Sequence, residues 1–242
     1  MQIDQLRSYL DDEAKAASWF RSLGIVDAKR AHANLVNMAT VGLTLDLLAN
    51  LADQLAEHLP AASDPDRALN NLDRFVAAAR SPLSIGSLFE RDRQALPVLL
   101  QIFATSQHLS DLLIQDNESY DLLRMTEGQP VGREPLVDEV CAEVAALAGD
   151  SAAVAKALRR IKRRETLRIS YGDIVRGQSV DIVTRQISYL ADALVEAAVL
   201  AARKKVADRR GLPTTPAGKP ARFAVLALGK LGGVELNYSS DI

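Results

Sequence analysis

The residues whose types and spacing could do chemistry lie at the end of the chain, in LALGKLGGVELNYSSDI (226–242). An apolar run leads into Gly229-Lys230-Leu231-Gly232-Gly233, and a polar stretch then rises to Ser239-Ser240-Asp241. Glycines that follow a strand let the backbone turn sharply and bring bare amides close to a phosphate. Lys230 either adds a point charge to that loop or faces solvent. A Ser-Asp pair at the next element places an anionic oxygen where a divalent cation could bridge to the phosphate. The G-x-x-x-x-G-K-[ST] pattern of a Walker A loop is absent. A tight turn followed by a capping Asp meets the same spacing with no chemistry at all, which would leave the chain a helical protein-interaction scaffold with no catalytic role.

Other chemistries are poorly supplied. The single Cys141 excludes an internal disulfide and a Cys-based zinc site, and on an amphipathic helix without a basic neighbour it reads as a packed thiol. His32, His58 and His108 have no ligand spacing between them and read as surface or capping residues. No apolar run approaches the ~20 residues that span a bilayer. The polar, acidic start MQIDQLRSYLDDEAK is unlike a signal peptide, so a cytoplasmic protein is expected.

The elements that must position the terminal loop are helical. The chain has 242 residues, 48% hydrophobic and 25% charged, enough for a large core, and its 5% aromatic content favours helix packing over a β-sandwich. The spacing of Leu6, Leu10, Ala17 and Phe20 predicts a helix over 4–22 that stops at Gly24, with Trp19 and Phe20 in the core. A second pattern carries Leu48, Leu51, Leu55 and Leu59 to Pro60. Asp64-Pro65 then combines a capping oxygen with a ring that needs no amide partner. Shorter helices are expected between Leu83 and Met125. A weak repeat links Asp27, Arg30, Ala31, Asn34 and Leu35 to Asp64, Arg67, Ala68, Asn71 and Leu72; it marks either two similarly capped helices or an old duplicated hairpin.

Residues 126–135 (TEGQPVGREP) read as a loop or joint, followed by helices over 136–148 and 151–169. Val180, Val183, Ile187, Leu190, Leu194, Ala197 and Ala201 form a seam on one long helix, closing in a basic last turn before Gly211. That seam serves intramolecular packing or a short coiled coil. Residues 211–221 are then a Pro- and Gly-rich linker. Phe223–Leu228, too short for a helix, predicts a strand buried on both faces. The fold class expected is therefore mainly α: a multi-helix domain over 1–210, then the first strand-turn-helix of an α/β domain over 222–242, truncated.

The net charge of −2 conceals an asymmetry: 156–168 and 203–210 hold 12 of the 29 Lys and Arg and only 2 of the 31 acids. Local basic patches on an acidic body argue against general nucleic-acid coating, and the 156–168 helix offers no aromatic stacking platform before Tyr171. It reads as a solvated face, or as a contact to nucleotide phosphates or an acidic partner.

Gly229 and Asp241, with eleven residues between them, resemble the G-x11-D-x-D signature of DNA-polymerase-β-type nucleotidyltransferases. GKLGGVELNYSSDI is similar to the G-K-L-G-G-x-E-L-N-x-x-S-D-x-D-L motif of the glutamine synthetase adenylyltransferases, bifunctional enzymes that both add and remove AMP. LRRIKRRETLRIS (158–170), QISYLADALVEAA (186–198) and DPDRALNNLDRF (64–75) look like the N-terminal half of that family. The resemblance implies two nucleotidyltransferase copies. One moves AMP from ATP onto a tyrosine of glutamine synthetase, and the other, which this chain resembles, removes it by phosphorolysis to ADP. It further implies Mg²⁺ held by the D-x-D carboxylates, of which Asp241 is the first. Gly229, Lys230, Gly232 and Gly233 would form the phosphate-proximal turn, with Ser240 beside the phosphates. Glutamine synthetase and a PII-type signalling protein are the implied partners; nucleic acid and membrane are not. Since the second carboxylate would follow Ile242, these residues alone are expected to be inactive, with a poorly ordered or adhesive C-terminus.

Overall fold

The computed structural model describes residues 1–147 and 149–240, and 73% of the described residues are helical. Contacts gather it into two compact units, Met1–Leu122 and Leu123–Ile242.

The first unit contains α1 (Ile3–Asp11), α2 (Glu13–Ser22), α3 (Ala28–Thr40), α4 (Leu45–His58), α5 (Pro65–Ala78), α6 (Pro82–Arg91), α7 (Ala95–Thr105) and α8 (Gln107–Gln115). It ends within α9 (Ser119–Thr126). The single helix expected over 4–22 is broken at Asp12, whose carboxylate accepts from the amides of Ala14 and Lys15 and so starts α2 afresh. Side-chain oxygens of Asp27, Thr44, Asp64, Ser81 and Ser106 cap five later helices in the same way. Phe20, Phe75, Phe89 and Phe103 are fully buried with the leucines of α4 and α5. Trp19 is half-buried instead, stacked on Tyr9 at 5.5 Å between centroids.

The repeat extends from the caps to the contacts. Asp27 and Asp64 each accept, at 3.0 Å, from the amide three residues ahead. Asn34 of α3 donates to Asn70 of α5, and Asn71 of α5 pairs with Gln107 of α8, both across 36 residues of sequence. Asn37 likewise donates to Asp73, and Arg74 to Asp111. One polar seam is thus used twice, α3 on α5 and then α5 on α8. Asp64→Ala is expected to cost about 1 kcal/mol, the usual loss for a helix cap. Trp19, the only tryptophan, lies in this unit, so a lower urea midpoint of its fluorescence at unchanged slope checks the value.

The second unit is built on α10 (Arg133–Ala146), α11 (Ser151–Ile174) and α12 (Val180–Arg210). Leu136, Val140 and Val144 of α10 meet Val154, Ile161 and Ile169 of α11 and Val183, Leu190, Ala193 and Ala197 of α12. The seam expected on α12 is largely the one that packs, though Val180 at its head is exposed. The core on α10 and α11 occupies it within the chain, the intramolecular alternative to a coiled coil. α11 runs five residues beyond the expected end, to Ile174.

Beyond α12 the chain turns at Gly211 and makes an isolated antiparallel bridge between Thr214 and Pro220. Among the described residues no strand follows, which corrects the expected strand-turn-helix. Phe223–Leu228 carries no regular structure, and Leu226 and Leu228 are each 85% exposed. A strand buried on both faces exists only between neighbours that satisfy its amides and cover its side chains, and no described segment pairs with this run. The glycine turn does form, as the single helical turn α13 (Gly229–Gly232). No described helix is long and apolar enough to cross a membrane.

Candidate functional site

The loop from Gly229 to Ser240 is a closed piece of backbone. Gly229 adopts φ +59°, which admits glycine without the steric cost other residues incur. Gly232 packs so closely that a Cβ there would lie 2.5 Å from the carbonyl oxygen of Ala227. The amides of Gly232, Gly233, Val234 and Glu235 donate back to the carbonyls of Leu228, Gly229, Leu231 and Lys230. These four amides are therefore committed to the turn, and Lys230 is exposed on it. Val234 holds φ +60°, a left-handed conformation that a β-branched side chain resists; such strain persists only where surrounding contacts over-determine it.

Those contacts come next in sequence. Leu236 is only 3% exposed although Glu235 and Asn237 beside it face solvent. Its amide donates to Ser188 Oγ of α12 at 3.1 Å, and Ser188 Oγ in turn donates to the carbonyl of Thr184. The Tyr238 hydroxyl donates to Asp173 Oδ2 of α11 at 3.2 Å. Tyr238 is 49% exposed as a residue, but desolvation of its hydroxyl against α11, with the charge of Asp173, pushes that hydroxyl above the usual phenol range, so it stays a donor. A tight turn then closes: Ser240 N donates to the Asn237 carbonyl at 3.0 Å, and Ser240 Oγ donates to Asn237 Oδ1 at 2.8 Å. The Ser240 hydroxyl is thus engaged locally. Asp241, the candidate metal carboxylate, lies outside the described residues.

α11 and α12 also share a buried polar network. Arg168, Glu165 and Gln186 are each at most 5% exposed. The Arg168 guanidinium donates to Glu165 Oε2 at 2.7 Å, to Gln186 Oε1 at 2.9 Å and to the carbonyl of Gln129. Gln186 also exchanges both amide bonds with the backbone of Val131, at 2.8 Å each. Gln178 Nε2 reaches the carbonyl of Gly128. The loop between α9 and α10, the region read as a joint, is thereby pinned to the two helices. The basic stretch 156–168 divides accordingly: Arg168 is interior, Arg164 pairs with Glu139 and Glu165, and Arg160 pairs with Glu143. Lys156, Arg159, Lys162 and Arg163 remain on the outer face.

The sequence signal for this network was present but easily missed. Val154, Ala157, Ile161, Glu165 and Arg168 recur at threes and fours, so the last two sit on the core stripe of α11. Gln186 falls likewise between Val183 and Leu190. A polar side chain in core register requires a polar partner, and here each supplies the other.

No described group of three or more His, Cys, Asp or Glu could hold a metal ion. Cys141 is half-buried, and burial with the nearby charges of Glu196 and Asp138 pushes its thiol up, away from reactivity. A ring nitrogen of His32 lies 3.2 Å from the carbonyl of Leu10 at the end of α1, a capping contact.

The sequence model of the glutamate-ammonia ligase adenylyltransferase family matches residues 96–242. A bifunctional glutamine synthetase adenylyltransferase/adenylyl-removing enzyme of Corynebacterium diphtheriae is 30% identical over 237 residues, covering 94% of this chain and 22% of that protein. The enzyme of that name from Pseudomonas aeruginosa is 30% identical over 204 residues, 83% of this chain and 20% of its own length. That from Haemophilus ducreyi is 41% identical over 93 residues, 38% of this chain and 10% of its own. The chain spans about a fifth of the length of the first two relatives. With the glycine turn and its docked ELNYSS segment lying inside the matched region, the chain belongs to the glutamate-ammonia ligase adenylyltransferase family.

Proposed function

We propose that this chain contributes the opening of a nucleotidyltransferase domain to a cytoplasmic enzyme that adds AMP to, and removes it from, a tyrosine of glutamine synthetase. On this reading residues 1–210 are the helical body, 211–221 the linker, and 222–242 the first part of the copy that removes AMP by phosphorolysis. The observation that carries it is the string Gly229 to Asp241, with its turn folded back on itself and its ELNYSS segment seated on α11 and α12.

Transfer of a phosphoryl-linked group needs little covalent work from protein; it needs placement and charge. The chain's part in placement is the compact turn at Gly229, Gly232 and Gly233, which lets backbone approach a phosphate, with Lys230 as an exposed cation beside it. Mg²⁺ held by Asp241 and further carboxylates would neutralise charge developing on the transferred group. ATP, ADP and phosphate are substrates in the two directions, and glutamine synthetase and a PII-type protein are the partners. One carboxylate does not organise two metal ions, so the 242 residues by themselves are expected to turn over nothing.

The test uses a polypeptide of the relatives' length that carries these residues, assayed for phosphorolysis of AMP-tyrosine with Mg²⁺ and phosphate. Asp241→Asn is expected to lower kcat by about 10³-fold or more, the several kcal/mol a catalytic metal supplies. Activity that survives this substitution refutes the role given to Asp241.

A further inference from the structure

Resting on the nucleotidyl-transfer reading, we infer that Ser188 and Asp173 are positioning residues: the helices α11 and α12 fix the direction taken by Leu236–Ser240, the stretch that precedes Asp241 in sequence. Three attachments define that direction. The Leu236 side chain is buried, its amide is held by Ser188 Oγ at 3.1 Å, and two residues on the Tyr238 hydroxyl is held by Asp173 at 3.2 Å. Ser188 belongs to α12 and Asp173 to α11, so the segment is tied to two elements whose mutual packing is itself fixed by a shared core.

Burial of Leu236 alone would anchor one point and leave the chain free to swing about it. A bond to its backbone amide and a second bond at Tyr238 remove that freedom. The Asn237–Ser240 turn carries the constraint to the residue before Asp241. Ser188 is suited to the task because it is 1% exposed and has already spent its proton on Thr184, which leaves lone pairs for the incoming amide. A carboxylate that must meet a phosphate and a cation needs placement to about half an ångström.

Two measurements test the inference. In the 242-residue chain, amide exchange at Leu236 is expected to quicken at least tenfold in Ser188→Ala while the amides of α11 and α12 keep their protection. Unchanged exchange at Leu236, or equal loss throughout both helices, overturns it. In a polypeptide of the relatives' length, Tyr238→Phe and Asp173→Ala are expected to lower kcat for phosphorolysis at least tenfold with KM little changed. Asp173→Asn restores most of it, because the amide oxygen still accepts from Tyr238. Equal losses in Asp173→Asn and Asp173→Ala, or kcat unaltered in all three, overturn the positioning role while leaving the enzyme reading intact. Full activity in Asp241→Asn instead removes the reading on which the inference rests, whatever the exchange pattern.

Discussion

Arg168→Ala is expected to destabilise the second unit by about 3–5 kcal/mol, the range for breaking a buried ion pair by removing one partner. Most of that loss is the stranded Glu165. Its side chain is 7% exposed, so its charge would lie in a poorly solvated interior with only Arg164 left to face it. The remainder falls on the loop ahead of α10, since the carbonyl of Gln129 loses its guanidinium donor and Gln186 loses one of its three bonds. Lysine is a poor substitute, because one ammonium does not reproduce a planar fork reaching three acceptors at once. An Arg168→Met, Glu165→Leu pair removes both charges and should recover much of the loss, as apolar replacements of buried ion pairs commonly do. The unit contains no tryptophan, so helical circular dichroism during urea unfolding is the readout. A loss below about 1 kcal/mol in Arg168→Ala, the worth of a surface pair, would show the network to be solvated.

The parts of this molecule written locally were legible. Asp27 and Asp64 announce their helices because a cap acts within three residues, and the α12 seam follows from spacing alone. The break at Asp12 is not legible in the periodicity, because Leu6, Leu10, Ala17 and Phe20 keep one apolar face across it, and spacing registers the face and not the interruption. The basic stretch 156–168 was harder for the opposite reason. Composition weighs Arg168 with Arg159 and Arg163, whereas the helical turn sends the first inward and leaves the others on the surface. At the candidate site, the glycine turn was readable and its seat was not. Leu236 meets Ser188 across 48 residues and Tyr238 meets Asp173 across 65, distances at which no pattern in the neighbouring residues operates. The strand expected over Phe223–Leu228 shows the same limit. Its apolar sequence states a preference, but pairing is a property of two segments.

Gly128→Ala is expected to cost the second unit about 2–5 kcal/mol, from two separable causes. The residue holds φ +68°, where a Cβ costs about 1–2 kcal/mol in the left-handed region. That Cβ would also lie 2.5 Å from the amide nitrogen and 2.8 Å from the Cα of Gly172. Both are backbone atoms inside α11 and cannot rotate away, so the loop itself must lift, at about 1–3 kcal/mol for forced overpacking. Lifting it loosens the Gln178 bond to the Gly128 carbonyl and the Arg168 bond to Gln129, which couples this substitution to the buried network. Gly177→Ala separates the two causes. Gly177 has φ +61° and nothing within 4 Å of an added Cβ, so it incurs the backbone cost without the collision. Unfolding midpoints should therefore fall further for Gly128→Ala than for Gly177→Ala by about 1–3 kcal/mol. Equal losses would mean that the loop before α10 leaves α11 without penalty, and that the contact between Gly128 and Gly172 is not what holds it there.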